Sequence, residues 1–187
     1  MHNGRVYLDW EMDENGKFTG LFREYKGWHR LSCRLSLYGF RYIRVGSTFD
    51  DRALAQLRAF PEVEYLDVGY TLSTDQGLEA LGRSGHMRHL KSLELSHTKV
   101  TDRDLVHLTG FPALTRLYLD GTAITDAGVA ILGQLENLRS LDVEDTSITA
   151  SGIQAIRRAN PRINLSPYRG ESSSDDGRVI DSALIRM

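Results

Sequence analysis

With 187 residues, 41% of them hydrophobic, the chain can bury one core, and 23 basic against 25 acidic residues leave a net charge of −2. That balance offers no electrostatic basis for gripping nucleic acid or an anionic membrane. No apolar run is long enough to span a bilayer, no charged start precedes an apolar stretch, and the single Cys33 can form no internal disulfide, so a cytoplasmic protein is expected.

From the N-terminus, Arg5 to Glu11 places Val6, Leu8 and Trp10 in alternation, Asp13 to Gly16 is a turn signal, and Lys17 to Tyr25 resumes with aromatics. The expectation is a β-hairpin, followed by a strand through Leu31, Cys33, Leu35 and Leu37. Residues 1–39 are read as an N-terminal cap, with Trp10, Phe18, Phe22 and Trp28 packed over the segment that starts at Phe40.

From Phe40 onward the sequence is periodic. Segments beginning at Leu90, Leu114 and Leu138 share one pattern, and 114 − 90 = 138 − 114 = 24 residues. Val63, Leu66 and Val68 fill the Leu90, Leu93 and Leu95 positions one coil earlier, and Phe40, Ile43 and Val45 fill them once more, giving five coils. The spacing slips by one residue near Asp50 and by three between Gly82 and His86, and loops absorb such slips cheaply. A second column runs Thr48, Thr71, Thr98, Thr122 and Thr146, and a third Leu57, Leu81, Leu108, Leu132 and Ile156. Phe60, Met87, Phe111 and Leu135 close the coils.

Within each coil a strand comes first, because Leu93 and Leu95 point to one side and Ser92, Glu94 and Ser96 to the other. The aligned threonines fall where the chain leaves the strand, and their hydroxyls are expected to bond backbone groups of the turn that the sheet leaves unpaired, giving a stacked ladder. Thr74-Asp75, Thr101-Asp102 and Thr125-Asp126 supply cap oxygens for the helices that return the chain. Asn160-Pro161 ends the last helix, and Ile163 and Leu165 predict a closing half-strand. The domains read as cap 1–39, repeat array 40–165 and a Ser- and Asp-rich flexible tail 166–187, whose Val179, Ile180, Ala183, Leu184 and Ile185 form a frayed end, a short helix or a docking motif.

The phrase Thr122-Ala-Ile124-Thr-Asp126-Ala-Gly128-Val129-Ala-Ile-Leu132 has the form TxITDxGLxxL and resembles the short bacterial leucine-rich repeat subtype and the F-box-associated repeats. The resemblance implies an α/β leucine-rich repeat solenoid, with a parallel sheet on the concave face and helices on the convex one. It also implies a protein-binding scaffold, and carries no catalytic residue over to this chain.

Function then turns on the strand side chains that face away from the core. Tyr42, Arg44, Tyr65, Asp67, Glu94, Arg116, Tyr118, Asp120, Asp142 and Glu144 make an acidic face with three tyrosines, suited to a protein partner with a basic surface. Tyr70, His97 and Asp145 flank it on the turns. Arg44 with Asp67 and Arg116 with Glu94 are candidate cross-strand pairs. Of the six histidines, His86, His97 and His107 fall on a loop, a turn and a helix and are expected to diverge, so no metal, cofactor or catalytic group is expected. The alternative is an assembly subunit that makes contact through the aromatic hairpin or the tail.

Overall fold

The structure is a computed structural model that describes residues 5–8, 41–45, 47, 50–57 and 60–166. The turn and second arm of the expected hairpin, the strand expected through Leu31 to Leu37, the cap aromatics and the tail beyond Ser166 lie outside the described residues.

Among the described residues, seven strands form one parallel sheet in sequence order: β1 (Arg5–Leu8), β2 (Tyr42–Val45), β3 (Tyr65–Asp67), β4 (Ser92–Glu94), β5 (Arg116–Tyr118), β6 (Ser140–Asp142) and β7 (Asn164–Leu165). The register follows the columns, with Leu66 opposite Leu93, Leu93 opposite Leu117 and Leu117 opposite Leu141. Segment Arg5–Leu8, expected as one arm of a hairpin, runs parallel to β2 with Arg5 opposite Tyr42 and extends the sheet by one strand. The half-strand expected at Ile163 and Leu165 forms β7.

Between the strands run α1 (Asp51–Gln56), α2 (Asp75–Arg83), a 3₁₀ helix (Asp102–Gly110), α3 (Val129–Gln134) and α4 (Ala150–Ala159). Leu57, Leu81, Leu108, Leu132 and Ile156 meet Leu66, Leu93, Leu117 and Leu141, all 2% exposed or less, in one continuous core. Short strands, crossovers on one side and a core made by stacking define a leucine-rich repeat solenoid. The three-residue insertion is taken up after α2, where Ser84 Oγ donates to the Leu81 carbonyl and Gly85 turns at φ +62°.

Among the described residues the threonine column bonds the backbone of the turn, as expected, with no hydrogen bond from one threonine to the next. Thr71, Thr98, Thr122 and Thr146 each donate to the carbonyl three residues earlier in their own coil, at 2.5–2.7 Å. The link between coils is made one turn later, by the aspartate of the Thr-Asp pairs. Asp75 accepts from both the backbone N–H and the hydroxyl of Thr101, Asp102 does the same for Thr125, Asp126 for Thr149 and Asp51 for Thr74. A hydroxyl that reaches only its own turn cannot bridge to the next coil, whereas a carboxylate has two acceptor atoms and a longer arm. This interaction holds the Asp126 carboxyl below its ordinary value, chiefly through the Thr149 hydroxyl and then its N–H.

The motif glycine answers the same geometry. A Cβ at Gly77 would lie 2.5 Å from Asp51 Oδ1, and one at Gly128 would lie 2.5 Å from Asp102 Oδ1. The coil that carries Asp104 at that position is the one that winds as a 3₁₀ helix.

Candidate functional site

Each strand from β3 to β6 shows the same burial pattern, a buried central residue between two half-buried ones, so the flanking side chains of these strands face away from the core. Two rows cross this face. The first is Tyr42, Tyr65, Ser92, Arg116 and Ser140; the second is Arg44, Asp67, Glu94, Tyr118 and Asp142. Asp120 and Glu144 follow on the strand exits.

One of the two expected cross-strand pairs forms. Arg44 Nε lies 3.1 Å from Asp67 Oδ2, directly across the strands. Arg116 stands opposite Ser92, not Glu94, and its guanidinium turns instead over the Tyr65 ring at 5.2 Å from the centroid. Glu64 binds Arg41 and Lys91 at 2.8 Å each at the strand entry, and the hydrogen bond from Lys91 contributes most to lowering its carboxyl.

The second-row carboxylates have a local task as well. Asp67 Oδ1 accepts the N–H of Gly69, Glu94 Oε1 that of Ser96 at 2.8 Å, and Asp142 Oδ1 that of Glu144. These bonds cap the strand ends and fix where the carboxylates sit. Burial pushes the Glu94 carboxyl up, the Ser96 hydroxyl and N–H oppose that, and the charges of Asp67 and Asp142 push it further up. Glu94, at the middle of the face, thus has Asp67 and Asp142 as its charged neighbours.

Just beyond the strands the chain passes through the left-handed region at Tyr70 (φ 58°), His97 (φ 54°), Gly121 (φ 63°) and Asp145 (φ 52°). The N–H groups of the first three continue the ladder, from Tyr70 to the Ser96 carbonyl, from His97 to that of Asp120 and from Gly121 to that of Glu144. The Tyr70 ring stacks on His97 with centroids 4.5 Å apart, and His97 Nε2 lies 3.2 Å from Asp120 Oδ2. Tyr70 stays 65% exposed and Leu72 53% exposed. The aligned turn positions are identifiable in sequence, whereas the exposure of Leu72 has no counterpart in the columns. The glycine at position 121 is the signal that this column turns left-handed.

On the convex side His107 meets two acidic groups that the sequence spacing did not single out. One ligand atom each from Glu79, Asp104 and His107 lies within 4.8 Å of the others. A 3₁₀ turn aligns residues three apart, which brings His107 Nε2 to 3.5 Å from Asp104 Oδ1. Arg83 pairs with Glu79 on the next turn of α2, so the cluster already contains its own cation. His86 and His89 lie exposed on the inserted loop.

The family described as Leucine Rich repeat matches residues 86–108 and 134–156. The two matches start 134 − 86 = 48 residues apart, twice the chain's own period, so they fall in the same frame as the columns. The chain thus carries leucine-rich repeats on both sequence and structural grounds. No curated protein matches the sequence. Among solved structures the chain is similar to internalin C2 of Listeria monocytogenes, at 18% identity over 66% of this chain and 49% of that one, with a TM-score of 0.49. It is also similar to actin-binding site 2 of leiomodin-1, at 16% identity over 60% of this chain and 70% of that one, TM-score 0.49. A leucine-rich repeat protein of Leptospira interrogans is similar at 17% identity over 67% of this chain and 35% of its own, TM-score 0.42. The chain spans about half the length of the internalin C2 chain it matches.

Proposed function

We propose that this chain is a non-enzymatic scaffold that holds a partner protein on its strand face, and that the partner offers a basic surface. Leucine-rich repeats generally act in protein–protein interaction, which sets the class. The observation that supports the particular surface is its charge. Arg44 and Arg116 stand among Asp67, Glu94, Asp120, Asp142 and Glu144, and Arg44 is already committed to Asp67. Tyr65 and Tyr118, both half-buried, add rigid contact area that costs little side-chain entropy to order.

An acid–base enzyme would bring ionisable groups with opposed shifts together in one cleft. On this face the Glu94 carboxyl is raised, and burial beside other carboxylates accounts for it. Among the described residues no helix is long and apolar enough to cross a membrane.

The test is an affinity capture with three proteins: the intact chain, a Tyr118→Ala/Asp142→Asn double variant and a chain ending at Ser166. Asparagine keeps the Oδ1 acceptor for the Glu144 N–H while removing the charge, so the variant keeps its strand end. The captured protein is expected to remain with the truncated chain and to fall at least tenfold with the double variant. Equal capture by all three would move the contact to the aromatic N-terminal segment and overturn this assignment.

A further inference from the structure

The strand face divides into two halves that treat tyrosine and carboxylate differently. In the half nearer the N-terminus the chain supplies its own arginines: Arg116 lies over the Tyr65 ring at 5.2 Å, and Arg44 holds Asp67 at 3.1 Å. In the other half the register places Tyr118 between Glu94 on one neighbouring strand and Asp142 on the other, with Asp120 two residues further along the same strand. Among the described residues no lysine or arginine pairs with Glu94, Asp120 or Asp142, and His97 is the group that meets Asp120.

We propose that Tyr118, bracketed by Glu94, Asp142 and Asp120, is a subsite for a single arginine side chain of the partner, whose guanidinium lies on the tyrosine ring and pairs with the flanking carboxylates. This inference rests on the strand-face reading above and names the chemistry that the face selects.

The face itself favours arginine over lysine. A guanidinium is planar, stacks on an aromatic ring and forks its donors toward carboxylates, while an ammonium is a strongly hydrated point charge. The two internal arginines already make one of each contact, to a tyrosine and to an aspartate of the same strand rows. Tyr118 with its neighbours offers both contacts in one place without a cation of its own. The subsite is also prepared before binding. Glu94 and Asp142 each accept their own strand-end N–H, which holds the carboxylates in position. The space they use is kept clear too, since a Cβ at Gly69 would lie 3.2 Å from Glu94 Cγ. Burial raises the Glu94 carboxyl, with the charges of Asp67 and Asp142 adding to it, and an incoming cation favours its charged form.

The experiment uses capped seven-residue peptides that alternate glycine with arginine, with lysine, or with citrulline, the uncharged planar isostere of arginine. Each is titrated into the full chain and into the chain ending at Ser166, followed by backbone amide shifts and calorimetry. The arginine peptide is expected to shift amides at Glu94, Tyr118 and Asp142, to bind at least fivefold more tightly than the lysine peptide, and to bind far more tightly than the citrulline one. Tyr118→Leu and Asp142→Asn are each expected to weaken it five- to tenfold, while Tyr65→Leu changes it less than twofold. Equal affinity for lysine and arginine, or shifts centred on Tyr65, would overturn the arginine subsite and leave a basic partner standing. If only the shortened chain binds, the chain's own tail, which carries Arg169, Arg178 and Arg186, is the occupant and the assignment to a partner falls. No binding of any cationic peptide to either chain overturns both readings together.

Discussion

Single residues on this scaffold are set by what the next coil needs. Gly121 shows it most sharply: at φ 63° it adopts a conformation that side chains disfavour, and a Cβ there would run into the His97 imidazole. Gly121→Ala is expected to cost about 1–2 kcal/mol, from the left-handed conformation plus displacement of the ring, measured by urea unfolding. Tyr70 and His97 accept the same backbone strain without being glycine, and Tyr70 recovers little of it by burial, since its ring remains largely exposed. Glu94 is set by burial, with the Asp67 and Asp142 charges adding to it. Its carboxyl titrates above its ordinary value in the folded chain, so the folded state binds the extra proton and stability falls as pH rises through that interval. Glu94→Gln keeps an oxygen for the Ser96 N–H and removes the titration. Its stability relative to the parent is therefore expected to rise from acid to neutral pH. Unfolding curves at pH 4 and pH 7 with an unchanged difference would contradict that origin of the shift.

At the scale of elements, the Thr-Asp phrase does two things, and the sequence displays only one of them. The cap oxygen is legible from spacing, and Thr101 does accept from the Arg103 N–H. The aspartate beside it reads locally as part of the same cap, yet its carboxylate crosses to the next coil, a contact 23 or 26 residues away that no local pattern reveals. Asp102→Ala leaves the Thr125 N–H without its 2.9 Å acceptor and is expected to cost about 1.5–3 kcal/mol. Pairing it with Thr125→Val in a double-mutant cycle should return a coupling energy of about 1 kcal/mol or more, whereas additive losses would mean that the two side chains act separately. The strand columns, the core leucines and the face assignment were legible because a period of two within each strand and of 24 between strands fixes both direction and neighbour. The contacts of Arg116 were not, because a long side chain chooses between a carboxylate and a ring according to geometry that spacing does not specify. The convergence of Glu79, Asp104 and His107 escaped for a related reason. It depends on a 3₁₀ turn and on the close approach of Gly82 to the His107 backbone, where a Cβ would meet the His107 carbonyl.

The whole molecule is one-dimensional in its energetics. Each described strand pairs only with its sequence neighbours, and each coil is tied to the next by one core layer and one aspartate bracket. A lesion should therefore be felt by adjacent coils and fade beyond them, unlike the all-or-none response of a single shared core. Leu117 sits fully buried in β5, between Leu93 and Leu141. Leu117→Ala should remove about 2–5 kcal/mol of local stability. Hydrogen exchange on the variant is expected to lose protection in the β4, β5 and β6 coils while β2 keeps its native rate. Uniform loss from β2 to β7 would instead show that the array unfolds as one unit. The same architecture explains why the strand face can carry function without endangering the fold. Its side chains point away from the layer that holds the coils together, so the Tyr118 row can be altered for a ligand at little cost, provided that the N–H acceptors on Glu94 and Asp142 are kept.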